Sequence, residues 1–241
     1  MSTSIIFIGT NRYIDFFPTY YASIKKNLIF DDEIKFHVFT DKIEFCIWPN
    51  DVKVYQIEHK HWPFITLLRY SFINKFIEEI CKSRNCIFVD ADMVWKTSTN
   101  EYDLFRDKRH FGVQHPGFVF NPAIATFERN IKSKAYVSCA DDTSVYWQGC
   151  LWGAKSEEFY KMIKTLDFNV DLDLKNQIVA TWHDESHLNR YFIDFKSDVN
   201  TLHPGYATPE NYHDLIRSFP TIAVHLDKSM SDFPRFPGVK K

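Results

Sequence analysis

The tightest constraint on the fold is an apolar run that ends in two carboxylates: Cys86-Ile87-Phe88-Val89-Asp90-Ala91-Asp92-Met93-Val94-Trp95. Short runs of Val, Ile and Phe read as buried strands. Side chains alternate faces along an extended chain, so Asp90 and Asp92 are expected on one side, about 7 Å apart at Cα. In an open α/β sheet, ligands sit beyond the carboxyl ends of the strands. Two acids there offer hard oxygen ligands to a divalent metal, which can in turn hold a diphosphate. The same spacing also arises without function. Asp171-Leu172-Asp173 is a second instance. No apolar run leads into it, and it reads as a solvated loop or helix start.

The rest of the first half alternates strand and helix. Ile5 to Gly9 reads as a strand, followed by a turn at Gly9-Thr10-Asn11-Arg12. Phe17, Tyr20, Tyr21, Ile24 and Leu28 recur at helical spacing, with Pro18 tolerable only in the first turn. Ile34, Phe36 and Val38 predict a second strand, and Val52, Val54 and Ile57 a weaker third. Leu68, Phe72, Phe76 and Ile80 form the stripe of one long helix before the Asp90 strand. This order implies an α/β fold with a mainly parallel sheet. Gly9 fits a tight turn; without GxGxxG it carries little nucleotide signal by itself.

The second half is less regular. Phe111 to Gln114 reads as a strand broken at His115-Pro116-Gly117-Phe118. Residues 119–145 show little periodicity, and loops of that length in a compact domain are often functional. Val145 to Trp152 predicts a strand, Ser156 to Leu166 a helix and Thr221 to Leu226 a last strand.

Trp182-His183-Asp184-Glu185-Ser186-His187 is the densest polar cluster, opening a helical stretch through Tyr191. One reading is a zinc pair, His183 and His187, although in HExxH the Glu directly follows the first His, whereas here Asp184 does. A second is a polar helix start capped by Asp184 or Ser186. A third is an active-site carboxylate, because one acid beside an anomeric carbon stabilises or traps an oxocarbenium-like transition state.

Composition narrows the function classes. The net charge is −2 with dispersed Lys and Arg, which gives nucleic-acid binding no support. The chain has 23 Phe, 12 Tyr and 6 Trp, and any exposed rings among them suit sugar stacking. Five cysteines without a CxxC spacing argue against a disulfide framework or structural zinc, and for a reducing compartment. No transmembrane or signal segment is visible, so a cytoplasmic protein is expected.

Several stretches together resemble glycosyltransferase family 6, the group of the histo-blood-group A and B transferases and α-1,3-galactosyltransferase. They are Val38-Phe39-Thr40-Asp41, Asp90-Ala91-Asp92, His115-Pro116-Gly117-Phe118, Phe127-Glu128-Arg129, Tyr146-Trp147-Gln148-Gly149 and Trp182 to Asn189. The resemblance covers nearly the whole chain. It implies a GT-A fold: one catalytic domain over 1–241, with about 1–95 holding the nucleotide sugar and about 96–241 the acceptor and catalytic part. It implies retaining transfer of galactose or N-acetylgalactosamine from the UDP-sugar to a β-galactoside, forming an α-1,3 bond.

By the same resemblance, Ile8, Gly9, Thr10 and Tyr13 contact uracil and ribose. Arg69 stands near the donor and the metal-binding acids. Asp90 and Asp92, with Ala91 between them, bind Mn²⁺ (or Mg²⁺) and the donor. His115, Thr126 and Trp182 contact the acceptor. Asp184 contacts the donor sugar, and Glu185 is the nucleophile candidate beside the acceptor. Lys228 matches a diphosphate-binding Lys, and Arg235 a tail Arg. The tail itself, with Pro234 and Pro237, is expected to order over bound UDP. Gln148, Gly149 and Cys150 fall at the donor-choice positions. Relatives with Gly where Cys150 stands accept the acetamido group, so Cys150 favours UDP-galactose. The membrane anchor and stem of mammalian relatives find no counterpart here, which points to a bacterial or phage enzyme. A binding protein of this fold without turnover, and a metal-dependent nucleotide-sugar phosphoesterase, are the alternatives.

Overall fold

A computed structural model describes residues 2–211 and 213–228. Arg235, Pro234, Pro237 and the expected closure of the tail lie outside the described residues.

The chain opens with β1 (Ser2–Ile8) and a 3₁₀ turn over Asn11–Phe16 into α1 (Phe17–Asn27), with Pro18 in the first turn as expected. Strands β2 (Leu28–Ile29), β3 (Glu33–Thr40) and β4 (Val52–Gln56) follow. The single long helix expected over Leu68 to Ile80 is instead three short ones: α2 (Phe64–Leu67), α3 (Arg69–Asn74) and α4 (Ile77–Ile80). Of the expected stripe, Phe72 and Ile80 are buried, and Leu68 and Phe76 are partly buried against the same core. The backbone leaves regular helical geometry at Leu68 and again at Phe76, and tertiary packing overrides the periodicity there.

Next come β5 (Asn85–Val89), β6 (Met93–Trp95), β7 (Thr99–Asn100), α5 (Glu101–Phe105) and β8 (His110–Gln114). Then β9 (Trp147–Lys155) leads into α6 (Ser156–Lys175), which runs well past the expected Leu166. Its extension absorbs Asp171 and Asp173, so that pair is not a loop or helix start. Asp173 is buried and accepts hydrogen bonds from the Ser133 hydroxyl and the Lys134 N–H. The chain ends with α7 (His183–Asp194), β10 (Val199–Leu202), β11 (Thr208–Pro209) and β12 (Ala223–His225).

Seven strands form one sheet in the order β10-β8-β9-β5-β1-β3-β4. Only β9 runs antiparallel to its neighbours, β5 and β8. The alternation of a strand buried on both faces is explicit. Ile5, Phe7, Ile87 and Val89 pack with Phe17, Tyr20 and Ile24 of α1 on one face. Ile6, Cys86 and Phe88 pack with Phe159, Met162 and Ile163 of α6 on the other.

One topological fact positions the site. From β1 the chain passes through α1 to β3 on one side, and later returns to place β5 on the other. The crevice beyond the carboxyl ends of β1 and β5 is therefore a switch point, where doubly wound sheets bind ligands.

Candidate active site

That crevice is a cavity of about 490 Å³, lined among others by Ile8, Thr10, Tyr13, Trp62, Arg69 and Lys228. Asp90, Ala91 and Asp92 also line it. Gly9 does not line it: a Cβ there would meet the Phe7 ring at 2.4 Å and Tyr13 O at 3.1 Å, so its place is a close backbone turn.

The two acids do not share a face of an extended strand. Strand β5 stops at Val89, and residues 90–92 form a turn closed by Met93 N–H donating to Asp90 O at 3.1 Å. The turn still gathers both carboxylates. Asp92 is almost fully buried; His225 Nε2 lies 3.0 Å from its Oδ1, and Lys228 Nζ 2.8 Å from its Oδ2. Burial opposes the Asp92 charge, but these two cations outweigh it and hold the carboxyl well below the usual range. Asp90 shows the opposite balance: burial, and the like charge of Asp92, push it up against the pull of Arg69.

Asp90, Asp92 and His225 offer three ligand atoms that all lie within 4.8 Å of one another. Two carboxylates and an imidazole suit a divalent cation. Among the described residues no other His, Cys, Asp and Glu group does so. The zinc reading of His183 and His187 fails accordingly. His187 is buried beside Asp173, 3.6 Å away, while His183 packs edge-on against Trp62.

Arg69 is the connector. Its guanidinium lies over the Phe88 ring at 4.5 Å. It donates to Gly149 O at 2.8 Å, and reaches Asp90 Oδ1 at 3.4 Å and Asp184 Oδ2 at 3.1 Å. Burial disfavours its charge, but Asp184 and Asp90 more than compensate. A fork-shaped donor suits this task in a way an ammonium does not.

Beyond Arg69 lies the second acid pair. No side chain caps α7: its N-cap is Trp182, and Ser186 Oγ instead accepts the Trp182 N–H at 2.9 Å. His183 enters the helix at φ 51°, a left-handed conformation costing a non-glycine residue on the order of 1 kcal/mol or more. Burial raises Asp184 to about 6 against the pull of Arg69. Glu185 Oε1 accepts from Tyr146 Oη at 2.8 Å and Oε2 from Gly149 N–H at 2.7 Å. Burial still pushes Glu185 up to about 7, despite both donors.

The expected acceptor residues gather near this pair. His115 packs against Phe118 and Tyr146, at 4.7 and 5.8 Å between ring centroids. Burial and then the charge of His225 lower its pKa to about 4, so it is a neutral imidazole. Trp182 is half exposed and donates its indole N–H to Thr126 Oγ1. Cys150 is buried with the core residues behind the turn, and its carbonyl accepts from Asp90 N–H at 2.8 Å. Gln148 approaches His225 Nδ1 at 3.5 Å through its amide nitrogen.

Sequence reasoning missed His225, Tyr146, Thr66 and the His59–His61 wall. Tyr146 lies inside the Tyr146-to-Gly149 motif, Thr66, which hydrogen-bonds Asp184 and lines the cavity, three residues before Arg69, and His225 three before Lys228 on the last expected strand. His59 had no periodic signal; its Nδ1 lies 2.9 Å from Thr10 Oγ1.

Residues 2–226 match the sequence model of glycosyltransferase family 6. The O-antigen biosynthesis glycosyltransferase WbnI of Escherichia coli is 32% identical over 215 residues, covering 88% of this chain and 90% of its own. Histo-blood group ABO system transferase 1 of Rattus norvegicus is 26% identical over 209 residues, 81% of this chain and 58% of its own. Globoside alpha-1,3-N-acetylgalactosaminyltransferase 1 of Mus musculus is 30% identical over 155 residues, 63% of this chain and 43% of its own. Among the described residues, no helix is long and apolar enough to cross a membrane.

Proposed function

The chain belongs to glycosyltransferase family 6, and from that premise we propose that it moves galactose from UDP-galactose to a β-galactoside, with retention, forming an α-1,3 bond. The observation that carries this reading is the span of Arg69. One guanidinium joins Asp90 beneath the donor crevice to Gly149 and Asp184 beside Glu185. The diphosphate-facing acids and the sugar-facing acids are thereby held as one unit. In this reading residues about 1–95 hold the nucleotide and about 96–241 supply the acceptor side of one catalytic domain.

Ile8, Thr10 and Tyr13 wall the cavity where the nucleoside is held. Asp90 and Asp92 hold the divalent metal, for which Mn²⁺ is the best fit. Held there, the ion would neutralise charge on the departing UDP. Lys228 and Arg69 add fixed positive charge at the same place, the preorganised electrostatics that dominate group transfer. Asp184, fixed by Arg69, accepts from donor-sugar hydroxyls. Glu185 is aimed by two hydrogen bonds and faces the anomeric carbon on the side opposite the leaving group. Trp182 and His115 present ring surface to the acceptor galactoside. Cys150 carries a side chain where relatives that accept the acetamido group have Gly, which favours galactose. The five free cysteines, Cys46 and Cys139 exposed among them, fit work in a reducing cytoplasm.

Release of UDP from a panel of UDP-sugars, with lactose as acceptor and with or without EDTA, tests the reading. Lactose-stimulated, EDTA-sensitive release from UDP-galactose is expected. Formation of UMP would overturn it in favour of a phosphoesterase, and tight UDP-sugar binding without turnover in favour of a binding protein.

A further inference from the structure

The proposed reaction gives Gln148 and His225 no step of their own, yet both stand beside the metal-facing acids. Gln148 Oε1 is buried and has no hydrogen-bond partner among the described residues. Its amide nitrogen lies 3.5 Å from His225 Nδ1, while His225 Nε2 lies 3.0 Å from Asp92 Oδ1. In this arrangement Nε2 carries a proton towards Asp92, and the amide nitrogen, a donor, is the end of Gln148 that faces Nδ1. The ring is held in place by backbone. His225 is opposite Met93 in the β6–β12 ladder, and the next residue, Leu226, donates its N–H to Asp92 O at 2.9 Å.

We propose that His225 is a third protein ligand of the divalent cation, and that Gln148 is the positioning residue that sets its tautomer. Imidazole binds a metal through an unprotonated nitrogen, so Nε2 must lose its proton and Nδ1 must carry one. A ligating histidine donates its other N–H to an oxygen acceptor. Turning the Gln148 amide end over end brings Oε1 to Nδ1–H, a rearrangement that leaves the side-chain shape unchanged. The one move gives the orphaned oxygen a partner and frees Nε2. Lys228, whose ammonium lies 2.8 Å from Asp92 Oδ2, is the positive charge the cation displaces from that oxygen.

Two consequences follow from three protein ligands with atoms within 4.8 Å of one another. The protein holds the cation before any nucleotide arrives. The nitrogen ligand tilts selection towards Mn²⁺ and Co²⁺ and away from Mg²⁺, which prefers an all-oxygen octahedron. The proposal rests on the metal reading of Asp90 and Asp92 but not on sugar transfer.

The test is Mn²⁺ titration of the full-length protein without nucleotide, followed by electron paramagnetic resonance with pulsed detection of ¹⁴N coupling. Bound Mn²⁺ with coupling to a directly ligating nitrogen is expected. H225Q removes that coupling and weakens Mn²⁺ by at least 10-fold. Q148L keeps the coupling but loosens Mn²⁺ by about 10- to 100-fold, the usual effect of losing the group that orients a ligand; a glutamine that merely packs would leave the affinity unchanged. Bound Mn²⁺ without nitrogen coupling overturns the proposal, as does Mn²⁺ retained only once UDP is added. The wild-type spectrum decides even if H225Q fails to fold. Failure of transfer with the spectrum intact overturns the transferase reading alone.

Discussion

Arg69 Nε and Asp184 Oδ2 meet at 3.1 Å with each side chain only 7% exposed. Removing one partner of such a pair strands a buried charge. R69L leaves Asp184 and Asp90 facing each other without their shared cation. A loss of about 3–5 kcal/mol in denaturant unfolding is expected. R69K keeps the charge but not the fork that reaches three partners, and is expected between R69L and wild type. An R69L midpoint equal to that of wild type would show that the guanidinium does not hold the two acid pairs together.

Glu185 acts as a carboxylate in the proposed reaction, and burial has raised its pKa to about 7. Its ionised fraction grows as pH rises, so kcat/KM is expected to climb through about pH 7 and level off above it. Tyr146 donates to Glu185 Oε1 and favours the charged form. Y146F therefore moves the inflection upward. A flat kcat/KM profile between about pH 5.5 and 8.5 contradicts a role for Glu185 in the rate.

The same shift carries a stability sign. A carboxyl whose folded pKa lies above its unfolded value favours folding fully below the unfolded value, near 4.5, and that contribution is lost as pH rises through about 7. E185Q keeps the shape without the charge. It is expected to unfold at higher temperature than wild type at about pH 8, by on the order of 1–3 kcal/mol, and to match wild type at about pH 4. Differential scanning calorimetry at both pH values checks this; a destabilised variant at the higher pH refutes it.

Asp92 is held ionised by His225 and Lys228. D92N removes the charge that anchors the metal and the leaving group in the proposed reaction, and a loss in kcat of about 100-fold or more is expected. Full activity of D92N after EDTA treatment removes the metal assignment.

Cys150 backs the Asp90 turn, and burial followed by the Asp90 and Glu185 charges pushes its thiol up. C150G opens space of roughly one side-chain group, worth about 10-fold or more in discrimination. The ratio of kcat/KM for UDP-N-acetylgalactosamine over UDP-galactose is expected to rise by that factor. An unchanged ratio shifts donor choice elsewhere, with Gln148 next to be varied.

Much of the frame was legible before any coordinates. The burial of Ile87, Phe88 and Val89, the apolar run of β1, the alternation in β3, and the Pro18-started helix follow from period and local sterics alone. The single helix expected over Leu68 to Ile80 failed because periodicity reports which face is buried, not whether the axis stays continuous. Asp173 reads as solvated from sequence because no apolar run leads into it. Its partners Ser133 and Lys134 lie 40 and 39 residues earlier, and no local pattern encodes them.

The sequence by itself determined the end of the apolar run before Asp90, the acid pairs and the family, because those depend on local patterning and on eight consecutive residues, Trp182 to Asn189. Only the tertiary structure decided how the pairs cooperate. Sheet order brought β1 and β5 together, and α3 then aimed Arg69 at Gly149 and Asp184, 80 and 115 positions away. The β6–β12 ladder set His225 against Asp92, 133 positions earlier. Contacts at such separation arise from burying two faces of one sheet, a global constraint that no window of residues contains.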